Sequence, residues 1–113
     1  DETDWVRIVA LYDSLSALTP SPVVELNRAV AVAMAHGPAA GLEIVERLRS
    51  DASLGDYHLL PAVRGDLLVR LGRFSEALPE FERAASLTRN ARERQLLLER
   101  AVSCGKESGA ARI

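Results

Sequence analysis

Apolar residues along this chain recur at intervals of three and four, and proline, glycine and small polar residues interrupt the pattern at regular points. Trp5, Ile8, Val9, Tyr12, Leu15 and Leu18 share helical spacing. With Asp4 placed to cap the start and Pro20 closing the segment, they predict a helix over 4–18. Ser21 offers an N-cap oxygen and Pro22 takes the first helical position, where its missing N–H costs nothing, so a second helix runs to about His36. Gly37 ends it and Pro38 opens a third, whose apolar face is Leu42, Val45 and Leu48. The stretch "RSDASLGD" reads as a loop. A fourth helix is predicted over 57–71, ended by Gly72. A fifth, capped by Ser75, runs to about Leu87 with Ala77, Leu78, Phe81, Ala84 and Ala85 inward, and Pro79 is tolerable because it lies near the helix start. Asn90 followed by Glu93 resembles a capping box and opens a sixth helix, predicted to stop at Cys104 before Gly105. The polar remainder, 105–113, is expected to be disordered.

No alternation of period two persists, so the fold is all-α, and short connections force neighbouring helices into antiparallel pairs. Aligning the helix-ending glycines Gly37 and Gly72 superposes the pair 21–49 on the pair 57–87 with a shift of about 35 residues, the period of a helix–turn–helix repeat. In "YHLLPAVRGDLLVRLGRFSEALPEFERAASLTRN" small residues fall at Gly65, Ala77 and Ala84, with Leu68 and Phe81 between them. This pattern resembles the tetratricopeptide repeat: small residues let two helices approach, and large ones fill the groove left by the next unit. Two features depart from that pattern, because Pro61 stands where the repeat has an aromatic and Arg89 where it closes with proline. In the first pair Gly41, Val45 and Leu48 fit only after a one-residue gap. The first helix looks like the second helix of an earlier unit, and the sixth (90–104) like a cap. The expectation is a short tetratricopeptide-like solenoid of about six helices over 1–104.

Composition narrows the function classes. The chain has 113 residues, 48% apolar and 4% aromatic, with 14 Lys+Arg, 16 Asp+Glu and a formal net charge of −2. With the signs interspersed, no basic stripe can neutralise a run of phosphates, which argues against direct DNA binding. Cys104, the one cysteine, admits no internal disulfide or cysteine–zinc cluster and fits a reducing, cytoplasmic setting. No apolar run has the length of a membrane span, and the acidic start is unlike a signal peptide. Because the first residue is Asp1 rather than Met, the chain is expected to be a fragment or a processed product.

The search for chemistry gives mostly structural readings. His36 lies at a helix C-terminus and has no ligand partner at metal-binding spacing. "GPAAG" lacks the lysine and preceding strand of a phosphate loop. Cys104 has no identifiable base, so no enzyme, metal or cofactor is expected. If the repeat register holds, Val24, Asn27, Ala31 and Met34, with Leu59, Ala62, Asp66 and Val69, face an inner groove suited to a peptide or a helix. Asn27 can hydrogen-bond a partner's backbone or a neighbouring helix, and both readings stay open. Arg28 beside Asn27 is a further candidate for contact with a partner on this face; if buried, it should pair with Glu25 or Asp66. A small-molecule sensor would instead require an enclosed pocket around Tyr57, His58 and Arg64.

The segments "LTPSPVVELNRAVAV" and "YHLLPAVRGDLLVRLGR" carry a second resemblance. From Trp5 to Arg100 the chain is similar to the C-terminal extension of a group of bacterial extracytoplasmic-function RNA polymerase sigma factors. There a tetratricopeptide-like region follows the two DNA- and polymerase-binding sigma regions. The resemblance implies a regulatory role in transcription initiation, by contact with the sigma regions of the same chain, with core RNA polymerase or with a signalling protein. None of the present residues matches the promoter-reading or polymerase-binding residues of that group. A free-standing repeat adaptor that binds an unrelated peptide is the alternative.

Overall fold

The computed structural model describes residues 4–110, which form six α-helices and a 3₁₀ turn, with no strand among them. They are α1 (Trp5–Leu18), α2 (Pro22–His36), α3 (Pro38–Leu48), the turn Ala52–Leu54, α4 (Leu59–Arg70), α5 (Phe74–Leu87) and α6 (Ala91–Ala110). The all-α class and the packing of sequence neighbours agree with the expectation. Two compact units meet in sequence at Gly55 and Asp56.

In the first unit α2 packs on both α1 and α3. Asp4 caps α1 by accepting a hydrogen bond from the Arg7 N–H at 3.1 Å. Ser21 takes the extended N-cap conformation ahead of Pro22 but makes no side-chain cap bond, so its backbone and the preset φ of proline start the helix rather than its hydroxyl. Gly37, at φ +102°, is both the end of α2 and the N-cap of α3. Few residues other than glycine reverse the chain in one left-handed step. That reversal brings α3 close enough that a Cβ on Gly41 would stand 2.6 Å from the Ala33 Cβ and 2.7 Å from the Ala29 carbonyl oxygen. Leu26, Ala29, Val45 and Leu48 close the core.

In the second unit α5 packs on α4 and α6. The turn after α4 is a Schellman motif, in which the Gly72 N–H donates to the Val69 carbonyl at 2.9 Å and the Arg73 N–H to the Leu68 carbonyl at 2.8 Å. Consequently α5 begins at Phe74 with Arg73 as N-cap, and Ser75 lies inside the helix rather than capping it. Similarly α4 starts at Leu59, with His58 as N-cap. Phe81 is fully buried, and a Cβ on Gly65 would meet its ring at 2.8 Å, so the small residue admits the large one. Asn90 accepts from the Glu93 N–H at 2.9 Å, as the capping-box reading expects. Arg94 donates to the carbonyls of Ala85 at 3.2 Å and Thr88 at 2.8 Å, supplying acceptors at the end of α5 with partners.

The predicted stop at Gly105 is corrected. The helix runs on to Ala110, because Gly105 packs beside Leu78 and a glycine ends a helix only where the backbone turns left-handed. Residues 105–110 are therefore helical, and the rest of the predicted tail, 111–113, lies outside the described residues.

Candidate functional site

Packing on two sides leaves α2 one open stripe. Val23, Asn27, Val30 and Met34 are exposed, while Leu26, Ala29, Val32 and Ala33 are buried. The open residues follow intervals of four, three and four, which keeps them on one narrow face. Asn27 is exposed, so its amide is not sequestered in a helix–helix contact. Asn27 and Met34 thus hold the surface positions expected for them. Ala31 does not: it is 1% exposed and belongs to the interior. Val24 is half-buried, and its neighbour Val23 takes the open position.

The second unit repeats the arrangement. Along α4 the same intervals pick out Leu59, Val63, Asp66 and Arg70, with Leu59 and Arg70 exposed and the other two half-buried. Ala62 and Val69, expected to face a groove, are half-buried beside this stripe. The phase error has one source. Gly37 and Gly72 are 35 residues apart, but the packing positions Gly41, Val45 and Leu48 correspond to Ala77, Phe81 and Ala84, each 36 apart. The open stripes also correspond at 36. The one-residue difference is the place of the glycine: Gly37 alone separates α2 from α3, whereas Gly72 is the middle one of the three residues, 71–73, that separate α4 from α5. Val23, Val30, Val63 and Arg70 were missed for this reason, and aligning Gly41 with Ala77 would have found them.

Arg28 is a strut beside the stripe. Its guanidinium donates to Glu25 at 3.0 Å and reaches Asp13 of α1 at 3.3 Å, while the Ser16 hydroxyl donates to Glu25 at 3.0 Å. Glu25 is therefore the partner expected, joined by Asp13. The hydrogen bond from Arg28 holds the Glu25 carboxyl below its ordinary value, against the opposing effect of partial burial and with help from Ser16. Asp66 engages Arg70 at 3.1 Å and Arg100 at 3.0 Å, which ties α4 to α6.

Tyr57, His58 and Arg64 all have contacts within the second unit. Tyr57 meets His58 edge-on at 6.1 Å between ring centroids. His58 Nε2 lies 2.9 Å from Glu93 Oε1, and Thr88 also hydrogen-bonds that carboxylate. Glu93 is held below its ordinary value chiefly by the Thr88 hydrogen bond, with His58 adding to it. Arg64 is buried, with Glu80 at 3.6 Å. An open hollow of about 630 Å³ lies along α6, lined by Leu98 and Val102 together with Arg94, Glu99 and Lys106. Among the described residues no group of three or more His, Cys, Asp or Glu could hold a metal ion, and no helix is long and apolar enough to cross a membrane.

An uncharacterized protein of Rhizobium meliloti (strain 1021) is 48% identical to the chain over 93 residues, which cover 82% of the chain and 22% of that protein. The chain thus spans less than a quarter of the relative it matches. No protein-family model matches the sequence, and no solved structure matches it.

Proposed function

We propose that the chain is a regulatory protein-interaction region of an extracytoplasmic-function sigma factor, acting in the bacterial cytoplasm through contacts with sigma regions, core RNA polymerase or a signalling protein. The observation that carries this reading is the sequence resemblance, whose two most specific segments fall on α2 and α4, the two helices with open stripes. A matched region that occupies 22% of a longer relative fits an extension joined to other regions. Exposed Val23, Val30 and Met34 around the Asn27 amide offer apolar contact with one hydrogen-bonding group, the chemistry by which a helix or peptide is held. A surface that binds one state of its target better than another by about 1.4 kcal/mol shifts the populations tenfold.

The test begins with the gene: two sigma regions encoded ahead of Asp1 support the reading, and any other reading frame there overturns it. Calorimetric titration of the 113-residue chain with those sigma regions should give binding that Asn27→Ala and Met34→Glu weaken about tenfold, with circular dichroism unchanged. A folded chain that binds neither the sigma regions nor core polymerase sends the search to an external partner.

A further inference from the structure

The helix α1 has two apolar faces and only one is covered. Trp5, Val9 and Ser16 are half-buried on the side of α2, where the Ser16 hydroxyl donates to Glu25. A second stripe, Ile8, Leu11, Leu15 and Leu18, runs at intervals of three, four and three, and its last three members are 63%, 41% and 83% exposed. Four large apolar residues at heptad spacing form the seam of a helix–helix contact.

The second unit shows what lies on the corresponding face. Both α1 and α5 have 14 residues. They end alike, at Leu18-Thr19 and Leu87-Thr88, and each is followed by a capping residue, Ser21 or Asn90, that opens the next helix. In that register Ile8, Leu11, Tyr12 and Leu15 correspond to Ala77, Glu80, Phe81 and Ala84. Those four positions of α5 are buried or nearly so, and two of them meet α4: Phe81 against Gly65 and Glu80 against Arg64. We infer that the Ile8–Leu11–Leu15–Leu18 face of α1 receives an antiparallel amphipathic helix of the same repeat type, encoded directly ahead of Asp1, so that α1 is the second helix of a further pair.

The register specifies the chemistry of that helix. Gly65 precedes Phe81 by 16 residues and clears space for its ring, so the incoming helix carries glycine or alanine 16 residues ahead of Tyr12. Leu11 replaces the carboxylate that pairs with Arg64, so the residue in the place of Arg64 is apolar. On α6 another apolar pair, Leu98 and Val102, is exposed at 45% and 59%, with Arg94, Glu99 and Lys106 beside it. This inference does not depend on the sigma-factor reading, since any longer repeat protein could contain such a pair.

Hydrogen exchange on α1 provides the test, comparing the 113-residue chain with the parent gene product that includes the segment ahead of Asp1. The longer chain should protect the α1 amides at least about tenfold better. Leu15→Glu should remove that gain while leaving the melting temperature of the 113-residue chain unchanged. Equal protection in both chains overturns the inference. So does a gene that encodes no segment with the small residue in register, or a 113-residue chain that sediments as a dimer and is dissociated by Leu15→Glu, which would assign the face to a second copy.

Discussion

Two glycines inside helices set how closely each pair packs, and their surroundings predict unequal consequences. Replacing either by alanine gains about 1 kcal/mol of helix propensity, while overpacking costs about 1–3 kcal/mol. At Gly41 the added Cβ meets a backbone oxygen at 2.7 Å and a Cβ at 2.6 Å, neither of which can rotate away, whereas at Gly65 it meets the edge of the Phe81 ring at 2.8 Å. We expect Gly41→Ala to lower stability by more than Gly65→Ala, by about 1–2 kcal/mol against about 1 or less, read from urea midpoints. Equal effects, or a stabilised Gly41→Ala, would contradict the close approach. Which glycines do this was only partly legible: Gly65 stood out from the repeat resemblance, while Gly41 fitted it only after a gap. The gap is not needed, because packing fixes the correspondence at 36 residues and only the turn glycines are 35 apart.

At the scale of elements, the α1–α2 contact contains a polar strut whose stability depends on pH. The folded-state value of Glu25 is lowered, mainly by Arg28. Its contribution is therefore fully present above the ordinary carboxylate value and is lost as the pH falls through the lower folded value. Because the pair is partly solvated, the contribution is at most about 1 kcal/mol. Stability measured from pH 6 downward should decline through the acid range, and Glu25→Gln should reduce the slope; an unchanged slope would exclude the strut. On α6 the Cys104 thiol is buried, and that burial raises its value above the ordinary thiol value. Iodoacetamide should therefore label Cys104 at least about tenfold more slowly in the native chain than in urea. Labelling at the same rate in both would show that the last turns of α6 do not stay docked. Helix starts and stops were readable wherever a residue dictates local backbone: Pro22, Gly37, Pro38, Gly72 and Asn90 all stand at ends. Gly105 misled because glycine permits a stop without requiring one, and the contact with Leu78 keeps the chain helical.

At the scale of the whole molecule, two helix pairs repeat one plan, each with an open stripe along its first helix. If those stripes hold a partner, the double variant Asn27→Ala/Met34→Glu should keep its melting temperature within the small range usual for surface changes, about 0.5 kcal/mol in stability, while losing most of its binding. A parallel fall in both would make the stripe a structural feature. The sequence by itself determined the all-α class, the order of the helices and their pairing, because caps, prolines and 3.6-residue periodicity act through neighbouring residues. It also brought Asn27 and Met34 to notice. Only the tertiary structure decided which side of each helix stays open. That placed Ala31 in the interior, put Val23 and Val30 on the surface, gave Arg28 to Glu25 and Asp13, and gave Asp66 to Arg70 and Arg100. The physical reason is that one residue turns a helix by about 100°, so which face a side chain occupies is set by the register of packing between helices, which a single chain pattern leaves free by one residue.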